Sequence, residues 1–190
     1  AGFAAAEVAV TGTARMGVTT NTDSGDAQFS SRFRVIFTAS GETDGGLTFG
    51  ASVRNDQIGT GGTENGDSTV YISGAFGKLT MGDTGNAADS LVGQVSGVGY
   101  TSLGSMNEIG WADKDTTGAM YEYSAGALTF AVGAGQLDLG EDFVSAAVKY
   151  STDAYGVALG YESNNVESQI SASGSATFSG VTVKAKVAKA

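Results

Sequence analysis

The chain is 190 residues long, 30 of them glycine, with no proline, cysteine or histidine. Lack of cysteine removes disulfides, thiolate zinc sites and cysteine nucleophiles, and lack of histidine removes the usual general base and the commonest metal ligand. Twenty acidic residues against ten basic ones leave a formal charge of −10, a poor match to sequence-independent nucleic-acid binding, which needs a basic surface.

Glycine has no collagen-like period, and 41% of the residues are hydrophobic, which fits a strand-rich fold better than disorder. Residues 1–6, Ala1-Gly2-Phe3-Ala4-Ala5-Ala6, read as the tail of a secretory signal peptide, with an A-x-A pattern at the cleavage point. Residues 7–190 then alternate with a period of two, the mark of strands with one apolar face and one small or polar face. The first segment sets Val8, Val10, Ala14, Met16 and Val18 against Ala9, Thr11, Thr13, Arg15 and Thr19. The second sets Phe29, Phe33, Val35, Phe37 and Ala39 against Ser30, Arg32, Arg34 and Thr38, and Glu42–Gly46 makes a turn. The third sets Leu47, Phe49, Ala51 and Val53 against Thr48, Ser52 and Arg54, and a Gly/Asp/Glu/Thr-rich loop is expected from about Asp56 to Ser68.

Val70, Ile72 and Phe76 continue the pattern, with a tight turn expected at Gly77-Lys78 before Leu79 and Met81. One long interruption, Thr84–Gly118, comes next. Alternation resumes at Tyr121 and Tyr123, turns at Ala125–Ala127, and runs through Leu128, Phe130 and Val132 to Val144, Ala146, Val148 and Tyr150. Turns near Asp153, at Ser163–Glu167 and at Ser179-Gly180 separate the remaining strands, and the final run Val181–Val187 alternates to the end. The count is about eleven strands, an odd number with a strand stopping in mid-pattern. A membrane barrel has no raw edges and normally an even strand number, so strands following Ala190 are expected, roughly a third of a barrel.

Alternating strands build either a soluble sandwich or a transmembrane barrel. Arg15, Arg32, Arg34, Arg54, Lys149, Lys184 and Lys186 all fall on the face opposite the large apolar side chains. Charge position alone fits both architectures. Three features favour the membrane. Short and long connections alternate, the apolar faces carry aromatics near strand ends (Phe29, Phe49, Phe76, Tyr121, Tyr150, Tyr161, Phe178), and the polar face is rich in Gly, Ser, Thr and Ala, as suits a wall lining water. The soluble alternative is a secreted Gly/Asp-rich β-sandwich or calcium-binding adhesin or surface-layer module. No nucleotide-binding or hydrolase signature occurs, so no enzyme is expected.

The segments Glu7–Ser40 (EVAVTGTARMGVTT…SSRFRVIFTAS), Gly46–Ser52 (GLTFGAS), Ser73–Asp83 (SGAFGKLTMGD) and Tyr121–Gly126 (YEYSAG), in that order, resemble the N-terminal two-thirds of alphaproteobacterial, Rhodobacter-type general-diffusion porins. The resemblance implies an all-β, antiparallel, 16-stranded transmembrane β-barrel in the outer membrane of a Gram-negative bacterium, assembled as a homotrimer, in which the third long loop folds inward. Thr84–Gly118 holds that loop's place. With such a loop, Asp83 at its start and Asp89, Glu108, Asp113 and Asp115 within it would face Arg15, Arg32, Arg34 and Arg54 across a water-filled lumen. The expected result is a transverse field acting on small hydrophilic solutes. No cofactor is required. Asp113–Gly118 begins like a calcium loop but has Ser124 where an EF-hand needs its bidentate Glu, so Asp113 and Asp115 are at most ligands of a structural calcium. Outer-membrane lipid is the surrounding partner, and Glu64, Asp67, Glu141 and Asp142 are the loop acids placed to bridge cations to lipopolysaccharide.

Overall fold

The alternation of small or charged residues with β-branched and aromatic ones is realised as antiparallel strands. The computed structural model describes residues 5–20, 25–58, 62–93, 111, 117–135 and 143–190. Among them are eleven strands and one short helix, distributed over two units, Ala1–Gly74 and Ala75–Ala190.

In the first unit β1 (Ala5–Thr20), β2 (Ala27–Glu42), β3 (Thr48–Ile58) and β4 (Gly62–Gly74) pair in chain order. Strand β1 begins inside the segment expected to belong to a leader, at Ala5. The register sets Val10 opposite Phe37 and Ala14 opposite Phe33, so apolar side chains sit beside apolar ones along one face. At the β2–β3 turn the Thr43 hydroxyl accepts from the Leu47 amide at 3.1 Å, and the Thr43 amide donates to the Leu47 carbonyl at 2.8 Å. The expected loop from Asp56 to Ser68 is instead mostly strand: β3 runs to Ile58 and β4 starts at Gly62, with 59–61 outside the described residues. The register between β3 and β4 shifts between Val53 and Asn55, while the pairing of β3 with β2 runs unbroken from Thr48 to Ile58.

The second unit contains β5 (Gly77–Gly82), α1 (Ala87–Val92), β6 (Gly118–Ala125), β7 (Leu128–Ala134), β8 (Val144–Ser151), β9 (Tyr155–Ser163), β10 (Ser168–Phe178) and β11 (Val181–Lys189). Its seven strands also pair in chain order. The tight turn expected at Gly77-Lys78 lies earlier, at Ala75-Phe76, which moves Phe76 out of the strand. Gly77 has φ +106°, and a Cβ there would stand 2.4 Å from the Glu122 carbonyl, so only glycine fits. The Tyr121 hydroxyl donates to the Phe76 carbonyl across the same corner.

The two faces of each unit are exposed in the reverse of the usual sense. Met16 and Phe29 are each 93% exposed and Phe33, Phe130, Val157 and Leu159 lie open, whereas Glu162 is fully buried along with Ser145 and Ser171. A large exposed apolar face of this kind is stable only against another apolar surface or in lipid. No helix of the described residues is long and apolar enough to cross a membrane; the strands carry the apolar surface here. Near the short turns of the second unit stand Phe76, Tyr150, Tyr155 and Phe178, and the rings of Tyr150 and Tyr155 lie 5.9 Å apart. That clustering suits a membrane interface, where amphipathic rings settle.

Candidate functional site

On the polar face of the first unit, Arg15 stands opposite Arg32, and Arg34 opposite Asp56, in the strand register. Two like charges directly opposite destabilise a sheet unless a counter-charge or water relieves them. Asp56 supplies a counter-charge to the neighbouring Arg34 and Arg54. The Arg34 guanidinium donates to it through Nε (2.8 Å to Oδ1) and Nη2 (2.7 Å to Oδ2), a two-point grip that planar guanidinium favours. Arg54 Nε lies 3.2 Å from the same Oδ1. Arg54 stands where the β3–β4 register shifts, the extra residue lying on β4.

The four arginines expected on one face are brought onto one face, and two of them, Arg34 and Arg54, hold a carboxylate that is only 3% exposed. Sequence reasoning left Asp56 out because it was placed at the head of a loop. The signal for it was present: Ser52, Arg54 and Asp56 continue the period of two on the polar face. The arginines gather at the Asp56 end of this face, where Glu64 stands opposite Asp56 in the register, while Glu7 and Glu42 lie on the same face at its other end, near the β2–β3 turn; arginine keeps its charge at any physiological pH.

In the second unit the long interruption contains α1, which packs on the small-residue face of β7, β8, β9 and β10. Asn86 caps it, its side-chain oxygen accepting from the Asp89 amide. The Ser145 hydroxyl accepts from the Ala87 amide at 2.9 Å, so two donors that a helix start leaves unpaired are satisfied. Gly93, with φ +65°, ends the helix. Ala87, Ala88, Leu91 and Val92 are buried against Ala131, Ala147 and Ala158.

The register explains why those wall residues are small. Ala131, Ala147, Gly160 and Ser171 face one another in a row across β7–β10, and a Cβ on Gly160 would come within 2.7 Å of Ala88 Cβ. The expectation that small residues on this face line water is corrected here: over β7–β10 they form a floor on which a helix rests. Large side chains would hold the helix off.

Of the acidic residues expected on the inward loop, Asp83 is exposed just after β5. Asp89 lies in the first turn of α1, where a negative charge complements the helix dipole. Glu108, Asp113 and Asp115 lie outside the described residues, as do Glu141 and Asp142. Glu64 and Asp67 fall within β4 rather than in a loop. Among the described residues no group of three or more acidic side chains is placed to hold a metal ion.

The family model for Gram-negative porins matches residues 1–190. A porin of Rhodobacter capsulatus is 42% identical, the match covering 82% of this chain and 56% of that protein; the chain thus spans little more than half the length of this relative. Two solved variants of Rh. blastica porin align over 96% of this chain and 84% of theirs, with TM-scores of 0.63 and 0.64 at 19% and 18% identity. The fold they share with this chain is an antiparallel transmembrane β-barrel.

Proposed function

The chain belongs to the Gram-negative porin family and to the outer membrane, and from that premise we propose that it walls a water-filled channel through which small hydrophilic solutes and ions diffuse passively. The observation that carries this reading is the inversion of the strand faces. In each unit the apolar side chains are exposed; the opposite face carries arginines and a buried carboxylate in the first unit and a packed helix in the second. In lipid each backbone group must be paired by a neighbouring strand, which the ladders provide. A polar interior then needs water, and a loop helix resting on the wall narrows the space available to it.

The soluble sandwich or calcium-binding adhesin considered on sequence grounds finds no support in the family match. Export through a signal peptide, assembly as a homotrimer, contact with lipopolysaccharide, an optional structural calcium and the absence of a catalytic step belong to the same proposal. The local cluster of Arg15, Arg32, Arg34 and Arg54 favours anions over cations of equal size where a solute passes it.

The deciding experiment is single-channel conductance in planar bilayers, with the full product of the gene and these 190 residues tested side by side. Stepwise, long-lived ohmic openings from the full product are expected. A folded, silent protein that stays soluble without detergent would sink the reading. Replacing Arg32 and Arg34 by glutamine lowers the anion preference, with Arg54 remaining to pair Asp56; unchanged ion selectivity would remove their assigned role.

A further inference from the structure

A second basic group occupies the other unit. Lys149 on β8, Ala158 on β9, Ser173 on β10 and Lys186 on β11 lie in one cross-strand row. The adjacent row continues Ser151, Gly156, Ser175 and Lys184. With strands about 4.8 Å apart, the Lys149 and Lys186 backbones stand roughly 14 Å from each other. Only small residues lie between them. The result is a cleft of about 120 Å³, roofed by Leu91 and Val92 of α1 and floored by Ser173 and Ser175. That is room for about four waters, or one small polyatomic anion, given about 30 Å³ per water.

Charge decides what such a cleft takes. The chain has ten basic residues and a net charge of −10, yet three lysines and no Asp or Glu line this cleft. Lys186 has a structural duty as well: its Nζ would lie 3.5 Å from a Cβ on Gly93, at the C-terminal end of α1, where a cation stabilises the last carbonyls. That duty does not extend to Lys149 or Lys184, for which the described residues supply no ion pair.

We propose that the Lys149–Lys184–Lys186 cleft between α1 and the β8–β11 wall is a binding subsite for a small oxyanion, the phosphate or carboxylate group of a solute. The lysines supply charge and rotatable donors, and the Ser173 and Ser175 hydroxyls add neutral donors. Ammonium groups bind as point charges without the two-point grip of guanidinium. Binding is therefore weak, in the millimolar range, and releases quickly, as a station along a diffusion path must. That this face lines an aqueous path rests on the channel reading above.

The test uses inorganic phosphate as probe and the full gene product in micelles of an uncharged detergent, so that no lipid phosphate competes. Phosphorus NMR line broadening is followed at about 20 mM salt, where screening is weak. Saturable binding is expected, weakened at least about tenfold in the Lys149→Gln, Lys184→Gln, Lys186→Gln triple variant. It is unchanged in Lys189→Gln, which sits on the opposite face. The corresponding triple Lys→Arg variant keeps the charge and retains binding. Undiminished binding in the triple glutamine variant, or its loss in the arginine variant, overturns the proposal.

Bilayer recordings separate this outcome from the channel reading. Ohmic channels with no lysine-dependent phosphate binding overturn the subsite alone. Lysine-dependent phosphate binding by a protein that opens no channel overturns the channel reading and leaves the subsite standing.

Discussion

The floor beneath α1 makes Gly160→Ala a sharp perturbation for so small a change. The added methyl would sit 2.7 Å from Ala88 Cβ, 2.9 Å from Ser171 Oγ and 3.0 Å from Ala88 Cα, where ordinary contact begins at 3.4 Å; the Ser171 hydroxyl can rotate aside, but the helix must lift by at least about 0.7 Å. The sheet is fixed by its ladders, which leaves the helix as the part that yields. Overpacking of this kind costs about 1–3 kcal/mol. Burial of Leu91 and Val92 holds the helix down with about 3–6 kcal/mol, an upper figure because the released loop would itself cover some apolar surface. The variant therefore loosens α1 without releasing it, raising the population of the lifted state by about 5- to 150-fold.

Hydrogen exchange in detergent reads this directly. The Ser90 amide, bonded to the Asn86 carbonyl at 3.0 Å, should exchange faster by that factor, while amides in β6 should not change. Gly174→Ala is the matched control, since a Cβ there meets nothing within 4 Å. Unchanged exchange at Ser90 in Gly160→Ala, or equal acceleration in Gly174→Ala, would refute the claim that the glycine exists to seat the helix.

Three further outcomes follow from the same geometry. Asn86→Ala removes the side-chain acceptor at the start of α1 and costs about 1 kcal/mol, seen as about five-fold faster exchange at Ser90 with the strand ladders unaffected. Asp56→Asn removes the carboxylate shared by Arg34 and Arg54, so anion preference measured by reversal potential rises; a fall would show that Asp56 does not moderate this wall. Phe33→Lys places a charge on the apolar face near the middle of β2 and costs about 2–4 kcal/mol in bilayer unfolding experiments, whereas Ala9→Lys on the opposite face, across from Thr38, stays within about 0.5 kcal/mol.

The strand order and the faces were legible because a period of two leaves little choice: a slip of one residue would exchange Arg32 and Arg34 with Phe33 and Val35. Legibility failed where polar residues continued a strand. Asn55, Asp56 and Gln57 resemble a loop by composition, which masks the phase that Asp56 keeps with Ser52 and Arg54, and the register shows that they extend β3. It failed also at Phe76, an apolar residue in phase with Val70 and Ile72 that turned out to lie in a turn. The helix escaped notice for a different reason. Six residues, Ala87–Val92, are too few to show a period of 3.6, and the Asn86 and Asp89 capping pair was the one local sign of a start. Its floor could not be inferred at all, because Ala131, Ala147 and Gly160 read equally well as spacers beside water until a helix is seen resting on them.

That dependence has a consequence for grafting. The helix and its floor lie in one continuous stretch, from Ala87 to Ser171, so the piece that can be exchanged between related chains is the loop together with the strands that follow it. Transplanted alone onto a wall with a branched side chain in place of Gly160, the loop would arrive with no seat. The lysine cleft under its far end would be lost with it, although every lysine remained.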